Sequence, residues 1–171
     1  ERLKEILDTE VHLVMTHGAE LTIEQETGYS VNEVKALSDF CYGLEEIGEK
    51  PASGSFNMDA MIVVPCSMGT LSAICHGSSH NLLERAADVC LKERRPLVIV
   101  PREAPYNQIH LENMTKLSGY GAVIMPASPG FYSRPRTIEE MVDFFVTRIL
   151  DQMGIHEPSE SRWTGMDVCV K

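Results

Sequence analysis

The chain has 171 residues, 43% apolar and 23% charged, a balance that suits one globular domain with a full hydrophobic core. A formal charge of −10 argues against a nucleic-acid surface, which needs a clustered basic face. The longest apolar stretches are strand-sized, well short of the ~20 residues of a membrane span, and the amino end is no signal peptide, so a cytoplasmic protein is expected.

Residues 1–7 read as the end of a helix, 10–16 (EVHLVMT) as a strand and 19–26 as a short helix. Ser30-x-x-Glu33 is a capping-box signature for a helix to about Leu37. A short strand is expected at 40–42, then a loop over 43–55 punctuated by Gly48, Pro51 and Gly54, then a strand at 60–64. A helix is predicted over 70–76, another over 81–95, a strand over 97–100, a helix over 108–118 and a strand over 122–125. Ile138, Met141, Val142, Phe145, Val146, Ile149 and Leu150 recur at three and four residues, an amphipathic helix that Gly154 stops. This alternation predicts an α/β fold in which helices cover a doubly wound parallel sheet: one domain over 1–153 and a tail over 154–171. Such a domain opens with a strand before its first helix, and this chain begins inside that helix, so the first strand is expected upstream.

Ligands of doubly wound sheets bind beyond the carboxyl ends of the strands. The loops after Thr16, Val64, Val100 and Met125 share that edge, so one crevice is expected to gather residues from all four. Pro65-Cys66-Ser67-Met68-Gly69-Thr70 follows a strand and opens a helix, which is how backbone N–H groups are presented to a phosphate. The same run also reads as an ordinary turn with Ser67 as N-cap. Arg85, Lys92, Arg94, Arg95 and Arg102 concentrate positive charge in an acidic chain, either for a small polyanion or as a solvated helix face. Arg85, Asp88 and Lys92 share one helical face, where Arg85 with Asp88 is most simply an ion pair. Arg102-Glu103 offers a guanidinium for phosphate and a carboxylate for proton transfer at a strand's end. Phe131-Tyr132 supplies an aromatic wall and a phenol, or fills a core edge. Trp163, the one tryptophan, is a docking anchor or a pocket lid. Five cysteines without a C-x-x-C pair read as free thiols, and six scattered histidines predict no metal site.

Ser53-Gly54-Ser55-Phe56, the run 65–71 (PCSMGTL), 81–89 (NLLERAADV), 91–95 (LKERR), Pro101-Arg102-Glu103-Ala104-Pro105, 109–114 (IHLENM) and Pro129-Gly130-Phe131-Tyr132 together resemble, in order and spacing, the flavin prenyltransferases of the UbiX type. The resemblance spans residues 10–163. It implies a Rossmann-like, flavodoxin-like flavoprotein that binds FMN and dimethylallyl phosphate. It also implies that the dimethylallyl unit is joined to N5 and C6 of reduced FMN without a metal, making prenylated FMN for a UbiD-like decarboxylase. A homododecamer with sites at subunit interfaces is implied as well. On this resemblance Thr16, Ser67, Met68, Gly69, Thr70 and Arg102 hold FMN, while Tyr132 and Arg148 hold the dimethylallyl phosphate. Arg85 and Lys92 bind or polarise its phosphate, Glu103 moves a proton, Glu26 is a further polar residue and Trp163 an aromatic cover. The family's Gly-Ala-Ser-Gly turn after the first strand is not in this sequence and is expected upstream with that strand. The competing functions are a flavin-dependent cysteine decarboxylase, which the Arg102-Glu103 block disfavours, and a non-catalytic flavin-binding subunit of an aromatic acid decarboxylase.

Overall fold

The computed structural model describes residues 1–6, 9–156 and 162. In chain order the elements are α1 (Arg2–Glu5), β1 (His12–Val14), α2 (His17–Glu26), α3 (Val31–Lys35), β2 (Phe40–Tyr42), a 3-10 turn (Lys50–Ala52), β3 (Met61–Cys66), α4 (Met68–Cys75), α5 (Leu82–Glu93), β4 (Leu97–Pro101), α6 (Gln108–Gly119), β5 (Val123–Ile124) and α7 (Ile138–Gln152).

All strand pairs are parallel. Among the described residues they form two ladders, β1-β2 and β3-β4-β5, where a single continuous sheet was expected. Val14 of β1 packs against the same core as β3 and β4, so the two ladders share one interior. β4 is central in its ladder and every residue in it is buried. Its side chains alternate between faces, as strand geometry requires. Leu97 and Ile99 meet Leu71, Ile74, Leu83, Ala87, Cys90, Met114 and Leu117 on one side. On the other, Val98 and Val100 pack with Ile149 and Phe145 of α7. A strand covered on both faces must be apolar throughout, hence LVIV.

The helices begin where side-chain oxygens cap them. Thr16 accepts from the Ala19 amide, Ser67 from Thr70, Asn81 from Glu84, Asn107 from His110 and Thr137 from Glu140. Ser30 and Glu33 make the predicted capping box. α4 starts at Met68, two residues earlier than expected, because Ser67 is its cap. β3 extends past its expected end, through Pro65 to Cys66, with a register shift between Val63 and Cys66. Pro65 falls within that shift, where the ladder is already irregular and a missing proline N–H is tolerated. α5 ends at Glu93, two residues early, capped by a left-handed Arg94 (φ 57°). The expected strand 10–16 shortens to three residues, with Thr16 drawn into capping α2. Cys41, Cys66, Cys75 and Cys90 are free thiols, and Cys169 lies outside the described residues.

Ile99 is fully buried between helices. Ile99→Ala is expected to cost about 3 kcal/mol in denaturant unfolding, with both transfer and cavity contributions. Ile138→Ala, at a side chain 71% exposed, is expected to cost under about 0.5 kcal/mol.

Candidate functional site

The first group of predicted residues collects at the carboxyl edge of the strands. Thr16 ends the β1 segment and caps α2, while Ser67 follows β3 and caps α4. The Ser67 hydroxyl donates to Thr70 Oγ1 at 3.0 Å and accepts from the Thr70 amide at 3.2 Å. The amides of Met68 and Gly69, first in the helix, have no intrahelical acceptor and face the sheet edge. A Cβ on Gly69 would meet nothing nearer than Ser67 Oγ at 3.9 Å, so the missing side chain leaves open space above the helix end. Arg102 is tied to this edge by its amide, which donates to the Cys66 carbonyl at 3.4 Å. Its guanidinium reaches Glu26, at the end of α2, with 3.7 Å between Nη2 and Oε1. Two residues separated by 76 positions thus meet, both more than half exposed. Glu103 is exposed next to them, its carboxylate accepting from the Ala104 amide at 3.1 Å. Amides, two hydroxyls and a guanidinium around open space form a donor set that fits FMN.

The second group lies at the other end of the sheet. α5 runs back from the carboxyl edge, so Lys92 in its last turn sits near the amino end of β4, where the Met61 amide bonds the Pro96 carbonyl. Lys92 pairs with Glu93 and, with it, holds that carboxyl below its usual range. The loop 52–56 is clamped across this helix. Arg95 donates to the carbonyls of Phe56 and Gly54 at 2.7 and 2.8 Å, and Arg85 Nε donates to that of Ala52 at 3.2 Å. Arg85 also pairs with Asp88 at 2.7 Å, the ion pair that its spacing suggested. Its Nε and Nη1 are therefore engaged with the loop and with Asp88. Gly54 rests directly on Lys92: a Cβ there would come within 2.5 Å of Nζ and collide with the Glu93 carboxylate.

The third group is on α7. Tyr132 stacks edge-on against Phe144, ring centroids 5.3 Å apart, and Arg148 lies one turn farther along the same helical face. Arg148 donates to Asp151 at 2.6 Å. Trp163 lies outside the described residues.

Within one chain Lys92 does not join the carboxyl-edge group. Glu26, Arg102 and Glu103 converge with the two capping hydroxyls, whereas Lys92 belongs to the opposite edge. The topology carries the reason: a helix returning to start the next parallel strand must end at that strand's amino end. A cavity of about 480 Å³ beside Thr9, Glu10, Asp39 and Phe40 contains none of the predicted residues. Sequence reasoning assigned no role to Gly54, Phe144 or Asp151. Gly54 could have been found by asking why a glycine lies between two serines, while Asp151 stands three residues from Arg148 on a helix.

Gly54→Ala is expected to preserve the fold, because only flexible side-chain ends must move, and to displace the Lys92 ammonium. Calorimetric titration with dimethylallyl phosphate is expected to show affinity reduced about fivefold or more, near 1 kcal/mol. Unchanged affinity would remove Lys92 from the binding site.

The family model described as Flavoprotein matches residues 1–150. A probable UbiX-like flavin prenyltransferase of Bacillus subtilis is 51% identical over 158 residues, covering 92% of this chain and 78% of that protein. Among solved structures, a dodecameric FMN-dependent UbiX-like decarboxylase from Escherichia coli O157:H7 superposes with a TM-score of 0.92 at 48% identity, over 95% of this chain and 88% of that one. AnUbiX (PadA1), in complex with FMN and dimethylallyl pyrophosphate, superposes with a TM-score of 0.87 at 46% identity, over 94% of this chain and 86% of that one.

Proposed function

The chain belongs to the flavin prenyltransferases of the UbiX type within the flavoprotein family, and on that premise we propose that it joins the dimethylallyl group of dimethylallyl phosphate to N5 and C6 of reduced FMN. The observation that carries this reading is the meeting of Arg102, Glu26 and Glu103 with the amide-rich start of α4 at the carboxyl edge. Bound and reduced, FMN would supply the electron-rich N5 and C6 whose electron pairs form the new bonds to the dimethylallyl carbons.

Each group of residues then has a task. The Met68 and Gly69 amides, the Ser67 and Thr70 hydroxyls and Arg102 hold FMN, and Thr16 borders it from the neighbouring helix start. Glu26 anchors Arg102 through their ion pair. Tyr132 and Arg148 hold the allylic phosphate, and Lys92 adds charge to it. When the allylic C–O bond breaks, negative charge grows on phosphate, and these donors stabilise it there. The Tyr132 face stabilises the positive charge left on carbon. Glu103, exposed beside Arg102, takes the proton lost when the ring closes at C6.

Because Lys92 and Arg102 occupy opposite edges of one chain, the complete site requires residues from more than one copy. The α5 group of one copy would face the carboxyl edge of another, an arrangement that the dodecameric relative makes geometrically available. The product, prenylated FMN, would pass to a UbiD-like decarboxylase. No helix among the described residues is long and apolar enough to cross a membrane, which fits cytoplasmic chemistry.

The decisive experiment incubates the protein with reduced FMN and dimethylallyl phosphate, followed by mass spectrometry. A flavin heavier by one dimethylallyl unit is expected. Unmodified, tightly bound FMN would instead identify a flavin carrier.

Glu103→Gln is expected to retain FMN binding by absorbance titration while lowering the rate of adduct formation about a hundredfold, the usual contribution of a positioned base. A wild-type rate would take Glu103 out of the mechanism.

A further inference from the structure

The side chain of Asp151 on α7 is only 6% exposed, yet it is charged. Arg148 donates to Oδ2 through Nη1 at 2.6 Å, and His156 lies 3.2 Å from Oδ1. Arg162, eleven residues beyond, donates to both oxygens at 3.0 and 2.7 Å. Those bonds from Arg162 lead the causes that hold the Asp151 carboxyl well below the ordinary carboxylate range. A carboxylate so enclosed requires its partners, because removing one leaves a buried charge poorly compensated.

The arrangement divides the work between the two arginines. Only Nη1 of Arg148 is used, and its Nε–Nη2 edge makes no hydrogen bond to another described residue. That edge is the fork with which a guanidinium binds phosphate through two parallel bonds. Arg148 is 45% exposed, so the fork is reachable. The charges also matter. Asp151 with Arg148 alone is neutral and offers an anion no net attraction, whereas Arg162 returns the cluster to net positive charge.

We propose that Asp151 is a positioning residue for the allylic phosphate: it fixes Nη1 of Arg148 so that the remaining fork is held for phosphate, while Arg162 offsets its charge. The proposal rests on the reading that Arg148 holds that phosphate. Asp151 itself touches neither substrate nor flavin.

The test is steady-state prenylation by the full chain with reduced FMN and varied dimethylallyl phosphate. Asp151→Asn is expected to raise KM for dimethylallyl phosphate about tenfold, with kcat within about twofold and FMN affinity unchanged. Asp151→Glu is expected to recover most of that loss. Arg162→Gln, at a side chain 36% exposed, is expected to raise KM in the same direction. Arg148→Gln separates the two layers of the argument. If it raises KM while Asp151→Asn and Arg162→Gln do not, the positioning role is overturned and the phosphate reading survives. If Arg148→Gln leaves KM unchanged, both fall. Parallel loss of FMN and allylic phosphate affinity in Asp151→Asn and Arg162→Gln would make the cluster merely structural and overturn the proposal.

Discussion

Burial of β4 on both faces is the constraint from which the arrangement of this molecule follows. Leu97, Val98 and Ile99 have no measurable exposure, so this strand can carry no chemistry along its length. Polar function is driven to the strand ends and to the loops. The parallel pairing then makes the two ends unequal, since helices begin at one and finish at the other. Helix starts present unpaired amides, and helix ends present carbonyls. The carboxyl edge accordingly carries the helix starts, and it is there that Ser67, Thr70 and Arg102 are found.

The same constraint explains why the cations are distributed as they are. A chain with a net charge of −10 has few to spare, and several of them are engaged in holding backbone in place. Arg95 binds two carbonyls of the loop 52–56, and Arg85 binds a third. Together they hold Gly54 against Lys92, so that the ammonium lies against main chain with no side chain between. Arg102 at 61% exposure, Lys92 at 44% and Arg148 at 45% remain more open to solvent than Arg85 at 36%.

Much of the fold could be read from local signals. The Ser30-x-x-Glu33 capping box marked the start of α3, and the three-and-four spacing from Ile138 to Leu150 marked α7. The errors fall where a tertiary effect prevails. β3 runs on through Pro65 at a register shift, and the 10–16 strand loses Thr16 to a helix cap. For the site, residue types were legible but their grouping was not. Arg102 with Glu26 and Gly54 with Lys92 are contacts between distant segments, invisible to any periodicity. The separation of Lys92 from Arg102 was nonetheless implicit in the predicted topology, and reasoning from motif order alone passed over it.

Cys66 lies between the buried strand and the capping serine, with a sulfur 1% accessible at the residue level and a thiol pushed up to about 12 by burial. Its hydrogen is shared with the Ser67 carbonyl at 3.4 Å. Reduced flavins exposed to air generate peroxide, and peroxide attacks thiolates, not thiols. A sulfur kept protonated in a closed wall, directly before the helix start at Ser67, is therefore protected from that oxidation.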